Sequence, residues 1–176
     1  MTKAEKLIRS LIRDVPDFPK PGIVFKDITP VVGSPQGLRA AVAALAARCR
    51  TRKPTKVVGV ESRGFIFGAA LAQKLGLGFV PVRKPGKLPW KSIRETYALE
   101  YGTDALEMHV DALRRGDRVV VVDDLLATGG TAAATVRLVR RSGAKVLEVD
   151  FVVELSFLHG RKKLRGVPVY SIVQYG

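Results

Sequence analysis

The sequence holds one cysteine, Cys49, and two histidines among 176 residues. An intrachain disulfide is therefore excluded, and too few soft ligands remain for a Cys/His metal cluster. Long hydrophobic runs are also missing: no stretch reaches the roughly 18 apolar residues that a membrane helix needs. The opening Met1, Thr2, Lys3, Ala4, Glu5, Lys6 has no hydrophobic signal core. These absences together predict a reduced, cytoplasmic chain with no membrane association.

Acidic residues are scarce. Sixteen carboxylates face thirty basic side chains, leaving a net charge of +14. The basic groups Arg48, Arg50, Arg52 and Lys53, then Arg114 and Arg115, then Arg137, Arg140 and Arg141, then Arg161, Lys162, Lys163 and Arg165 carry no interleaved aromatics that could stack bases. They read as a solvated surface with no specific nucleic-acid partner. Such charge can raise encounter rates with a polyanionic substrate, within a Debye length of about 8 Å at physiological ionic strength.

What is present is globular: 47% hydrophobic and 26% charged residues, at a length suited to one domain spanning 1–176. A capping box, Thr2 with Glu5, and apolar positions Leu7, Ile8, Leu11 and Ile12 predict an amphipathic helix from Thr2 to Arg13. Five prolines between Pro16 and Pro35 predict an irregular segment, and Ser34 and Pro35 then offer the N-cap and first position of a helix to about Arg50. Strands are expected at Lys56–Val60, Phe79–Arg83, Val119–Val122, Val146–Leu155 and Val169–Val173, with helices at Phe65–Leu75 and Thr131–Ser142 and a helical turn near His159–Arg165. Alternating segments Glu95–Tyr101 and Ala105–Val110 suggest a hairpin, and with the polar run after Arg83 they suggest a flexible lid over 84–110. Strand and helix in alternation predict an α/β fold with a mostly parallel central sheet, helices on both faces and a small N-terminal cap over 1–35.

The densest chemistry lies in Val119 to Thr131. Four consecutive valines suit a strand covered on both faces. Asp123 and Asp124 follow, then Ala127, Thr128, Gly129, Gly130 and Thr131 feed the next helix. A loop entering a helix offers free N–H groups and the positive end of the helix dipole to a phosphate, while glycines let the backbone approach it. No lysine follows as in a nucleotide-triphosphate loop, and G-x-G-x-x-G is absent. Two carboxylates repel phosphate but accept hydrogen bonds from paired sugar hydroxyls, and they can attract magnesium through its water shell. A ribose 5-phosphate satisfies both halves; a plain capping turn after a core strand is the alternative.

This motif resembles the phosphoribosyl pyrophosphate signature of type I phosphoribosyltransferases. Two further stretches are similar to the adenine phosphoribosyltransferases among them: Asp17 to Pro30, and Glu95 to Gly102. The resemblance spans nearly the whole chain, departing in its basic balance and in Trp90–Arg94. It implies a single phosphoribosyltransferase domain with an N-terminal hood and a lid, acting in purine salvage on adenine and phosphoribosyl pyrophosphate with Mg2+, as a homodimer.

The same resemblance implies residue roles. Glu61, Ser62, Arg63 and Gly64 would cradle pyrophosphate, with a strained peptide at or beside Glu61–Ser62, and Arg83, Lys84 and Lys87 would add cations. Arg63 could instead pair with Glu61. Glu100 would act as acid/base on a purine ring nitrogen and Tyr101 would close on the site; without the match, Glu100 is an outward strand residue. Backbone groups of Val24 and Lys26 would read the base edge, with Phe25 on one face of the base and Leu155 on the other, although both apolar residues could equally be core. Adenine pairs an amine donor with a ring acceptor, the reverse of a 6-oxopurine, so fixed peptide groups can separate the two. The competing readings are a hypoxanthine, guanine or xanthine phosphoribosyltransferase, and a non-catalytic sensor of phosphoribosyl pyrophosphate that binds nucleic acid.

Overall fold

The computed structural model describes residues 1–98 and 102–176. Its centre is a five-stranded, all-parallel sheet. The strands are β3 (Lys56–Val60), β4 (Gly78–Val82), β7 (Arg118–Leu126), β8 (Lys145–Leu155) and β9 (Val169–Tyr175), ordered β4-β3-β7-β8-β9. Two small antiparallel pairs flank it: β1 (Arg13–Pro16) with β2 (Val24–Asp27), and β5 (Ser92–Ala98) with β6 (Thr103–His109).

The valine run explains why β7 is central. Val119 and Val121 point into one core layer, formed with α5 (Gly130–Arg141) and the β5-β6 pair through Leu106, Met108, Leu138 and Val139. Val120 and Val122 point into the other, under α1 (Lys3–Leu11), α2 (Thr29–Gly33), α3 (Pro35–Arg50) and α4 (Arg63–Leu75), through Ile8, Val31, Leu45 and Phe67. All four valines are fully buried, each contributing roughly 1.5–3 kcal/mol relative to exposure. Apolar residues without alternation thus mark a strand with a core on each face.

Caps set the helix starts. Thr2 Oγ1 accepts the Glu5 N–H at 3.1 Å, while the Glu5 carboxylate turns to Arg9 at 3.7 Å, so only half of the expected capping box forms. Ser34 Oγ accepts from the Gly37 N–H at 3.1 Å and Pro35 takes the first turn of α3, as the sequence predicts.

Several boundaries differ from expectation. The first helix stops at Leu11, and Arg13–Pro16 leaves it to pair with Val24–Asp27, which fills part of the supposedly irregular proline segment. Pro30 opens the short α2 there, since proline is tolerated in a first turn. Helix α4 begins at Arg63 rather than Phe65. Strand β7 does not end at Val122 but runs on to Leu126, because β8 continues to pair with it after its pairing with β3 has ended at Gly59 opposite Val122. The last strand likewise extends to Tyr175.

The β5-β6 pair is built into the core at its stem. Tyr97, Leu106 and Met108 are buried, and Glu95 bridges Arg137 and Arg141 of α5 at 2.6 and 3.1 Å. Glu100 and Tyr101 lie outside the described residues.

Candidate active site

Where β3 ends and β7 continues, a crevice of about 340 Å³ opens at the carboxyl ends of the sheet, the position at which open α/β folds bind ligands. Its wall is formed by Glu61, Ser62, Arg63, Lys84 and the continuous run from Asp123 to Ala132, with Phe151 beneath.

One end is a loop built for an anion. Gly129 takes φ +79° as the N-cap of α5, and any Cβ there would collide with the Gly160 carbonyl. No side chain caps this helix, so its first N–H groups and the positive end of its dipole are available to a ligand. The Thr131 hydroxyl lies 3.2 Å from the Tyr97 hydroxyl.

Asp123 and Asp124 line the middle. Burial, reinforced by the neighbouring Asp124, raises the Asp123 pKa well above the ordinary carboxylate range. Its Oδ1 accepts the Asp124 N–H at 2.9 Å, and a Cβ at Gly64 would stand 2.7 Å from the same oxygen, so only glycine lets α4 begin this close. Asp124 accepts from Arg63 Nε at 2.6 Å. The guanidinium therefore pairs with Asp124 rather than with Glu61, its alternative partner; it joins the acid pair to the entrance of α4.

At the other end the Glu61–Ser62 peptide is cis, matching the implied special bond. Glu61 accepts from Arg83 at 2.9 Å, Lys87 at 3.2 Å and the Lys84 N–H at 3.0 Å. The Arg83 guanidinium leads in drawing its pKa down to about 2. Three cations named for pyrophosphate thus gather around this loop, although only Lys84 reaches the crevice wall. The Lys84 ammonium is paired with Asp104, which also accepts from the Tyr97 hydroxyl at 3.2 Å.

The hood lies alongside. Val24 and Lys26 share one parity on β2, so their peptide groups face the same way in a strand paired on one side only. The Phe25 ring is half-buried, edge-on to Phe18 at 5.2 Å and 5.6 Å from the Arg63 guanidinium carbon. Leu155 ends β8, also partly exposed. Neither is a fully buried core residue. Val24, Phe25, Lys26 and Leu155, with Arg83 and Lys87, stand outside the wall of the crevice itself.

Sequence reasoning missed Asp104, Tyr97 and Gly160. Tyr97 and Asp104 are direct cross-strand partners, a relation that appears only when the hairpin register is known. Gly160 was hidden in a basic turn whose contact with Gly129 is purely tertiary. Among the described residues no three His, Cys, Asp or Glu side chains are grouped to share an ion, and no helix is long and apolar enough to cross a membrane.

Residues 33–173 match the family model of the phosphoribosyl transferase domain. The chain is 60% identical to the adenine phosphoribosyltransferase of Carboxydothermus hydrogenoformans, over 96% of this chain and 99% of that one. It is 63% identical to that of Synechococcus sp., over 89% and 90%. Among solved structures, adenine phosphoribosyltransferase from Rhodothermus marinus superposes with a TM-score of 0.92 at 55% identity, covering 98% of both chains. The Saccharomyces cerevisiae enzyme, complexed with an imino-altritol bisphosphate and adenine, superposes with a TM-score of 0.94 at 41% identity, covering 98% of this chain and 99% of that one.

Proposed function

The chain belongs to the adenine phosphoribosyltransferase branch of the phosphoribosyl transferase family, and we propose from this premise how its crevice converts adenine and phosphoribosyl pyrophosphate into AMP and pyrophosphate. The carrying observation is the single cavity that joins an uncapped helix entrance, a pair of buried carboxyls and the Ser62–Arg63 turn. Those three features match the 5′-phosphate, the ribose hydroxyls and the pyrophosphate of one substrate.

In this reading Ala127, Thr128, Gly129, Gly130 and Thr131 hold the 5′-phosphate, and Asp123 and Asp124 take the ribose hydroxyls. Ser62, Arg63 and Lys84 face the leaving pyrophosphate, with Arg83 and Lys87 held next to it by Glu61. The bond from the anomeric carbon to pyrophosphate breaks, a bond to the purine ring nitrogen forms, and Glu100 manages the proton of that nitrogen. Val24 and Lys26 read the base edge, Phe25 and Leu155 cover its faces, and Tyr101 closes the lid against water that would capture the developing cation.

Two oxygen-bearing carboxyls beside an anion site suit Mg2+, and with no third acid grouped with them among the described residues the ion would arrive on the substrate phosphates. Bound there, it would neutralise charge on the leaving group. Asp123 and Asp124 would hold it through water. We further propose a cytoplasmic homodimer. The mainly apolar cleft of about 440 Å³ between α3 and α4, lined by Leu38, Val42, Ala43 and Ala70 together with Arg39, Gln73 and Lys74, supports self-association, and light scattering on the purified chain measures it.

The deciding assay supplies phosphoribosyl pyrophosphate and magnesium with either adenine or hypoxanthine. AMP should form and IMP should not; equal use of both bases overturns the adenine reading. A positioned acid/base group contributes about 10²–10⁴-fold, so Glu100→Gln should lower kcat by that order with substrate binding largely kept. A variant within twofold of the parent removes Glu100 from the mechanism.

A further inference from the structure

The end of the sheet opposite the crevice carries a second concentration of charge. Lys56, Arg118 and Lys145 begin β3, β7 and β8, three neighbouring strands spaced about 4.8 Å apart. Helices α3 and α5 run back from the crevice side and end beside them, bringing Arg50 and Arg140. The connecting segments are joined there: the Thr55 N–H donates to the Arg118 carbonyl at 2.7 Å, the Lys145 N–H to the Asp117 carbonyl at 2.9 Å, and a Cβ at Gly143 would lie 3.6 Å from Arg115.

Little acid offsets this face, where Asp111 is exposed. Glu148 is fully buried under Arg48 and Arg52, and Asp117 is buried, accepting the Arg114 N–H. Arg50, Lys53, Arg115, Arg140 and Lys145 are exposed and form no ion pair among the described residues. Helix dipoles account for cations in the last turns of α3 and α5. They do not account for Arg115 or Lys145, which lie in a loop and at a strand start.

Nor does substrate capture account for them. From Arg118 to Asp124 the strand rises roughly 20 Å, more than two Debye lengths of about 8 Å, so this charge is largely screened from the crevice. The segments that carry the cluster, 48–56, 111–118 and 137–148, contain no aromatic residue and no exposed large hydrophobic side chain. These segments therefore supply neither stacking platforms for a single strand nor apolar wedges for a bilayer; the exposed Trp90 and Val110 lie at the base of the β5-β6 pair beside them. What the face matches is a rigid, closely spaced array of phosphates.

We propose that this face binds the phosphate backbone of a duplex nucleic acid, by charge and without sequence preference. Fluorescence anisotropy with two unrelated 20-base-pair RNA duplexes tests it. Both should bind alike at about 50 mM KCl, with log K falling linearly in log salt. Replacing Arg115, Arg140 and Lys145 by Glu should weaken binding at least tenfold and make the salt slope shallower by about 2 to 3, with AMP formation within twofold of the parent. The glutamine version should lose at least threefold, which guards against a folding defect of the charge reversal. The charge-matched variant Lys162→Glu, Lys163→Glu, Arg165→Glu, in the segment that connects β8 to β9, should stay within threefold of the parent. Absence of duplex binding at low salt, equal loss in both reversal variants, or tighter binding of a single strand or of phosphatidylserine vesicles overturns the proposal.

Discussion

Asp150 shows how strongly one position can respond to the fold. It lies on β8 with no exposed surface, accepts the Cys49 thiol at 3.1 Å through one oxygen, and leaves the other without a partner among the described residues. Burial pushes its pKa up to about 7, and burial also raises that of Cys49, which stays a thiol. Because the folded-state pKa lies above the unfolded one, the native protein binds the extra proton between about pH 4 and 7, and its stability falls as pH rises through that window. At about 1.36 kcal/mol per unit, the penalty at pH 8 is at most a few kcal/mol. Asp150→Asn cannot ionise. Its melting temperature relative to the parent should be nearly unchanged at about pH 4 and clearly higher at pH 8; a gap that is flat or narrows with pH rejects the assignment. None of this is legible in the sequence, where Asp150 is one polar residue in an apolar run. Only the arrival of α3 on that face of β8 removes water from it.

The hairpin formed by β5 and β6 poses the same question for an element. Its Tyr97 hydroxyl meets Asp104, Lys84 and Thr131, and the Lys84 ammonium leads in holding the Asp104 carboxyl below its usual range. A carboxylate only accepts, so Tyr97 donates to Asp104 and must accept from Thr131. The Thr131 proton is thereby committed to the hairpin, and a 5′-phosphate held as proposed above would have to draw it away. Tyr97→Phe should free that proton. The KM for phosphoribosyl pyrophosphate is expected to fall, by up to about fivefold for one hydrogen bond near 1 kcal/mol, while the melting temperature drops. An increase in KM, or an equal change in the KM for adenine, would show that Tyr97 merely supports the stem. Elements of this kind are where sequence reading loses its grip. The buried valine strand, the Ser34–Pro35 helix start and the glycine loop were legible because each is dictated by local chemistry. The pairing of Tyr97 with Asp104, the β1-β2 ribbon and the extension of β7 past its acids depend on which strand lies alongside, and residue type does not encode that.

Charge is a property of the whole molecule, and two opposing effects compete in it. Added salt weakens the surface ion pairs, each contributing about 0–1 kcal/mol, and it also screens repulsion among unmatched cations, which destabilises the compact state. With thirty basic and sixteen acidic residues, even complete pairing leaves a surplus of fourteen positive charges. Several pairs are moreover anchored by nearly buried carboxylates, such as Arg48 with Glu148 and Arg161 with Glu154, and these are screened less than exposed ones. Repulsion should therefore dominate. Raising NaCl from about 10 to 150 mM, the range in which the Debye length shrinks from about 30 to 8 Å, should raise the melting temperature by a few degrees. Because much of the unpaired charge sits at the end of the sheet away from the crevice, the variant with Glu at 115, 140 and 145 should lose a large part of that dependence while its low-salt melting temperature rises. Calorimetry at both salt concentrations decides the matter: a parent protein that melts lower in the higher salt would mean that its ion pairs outweigh its surplus charge.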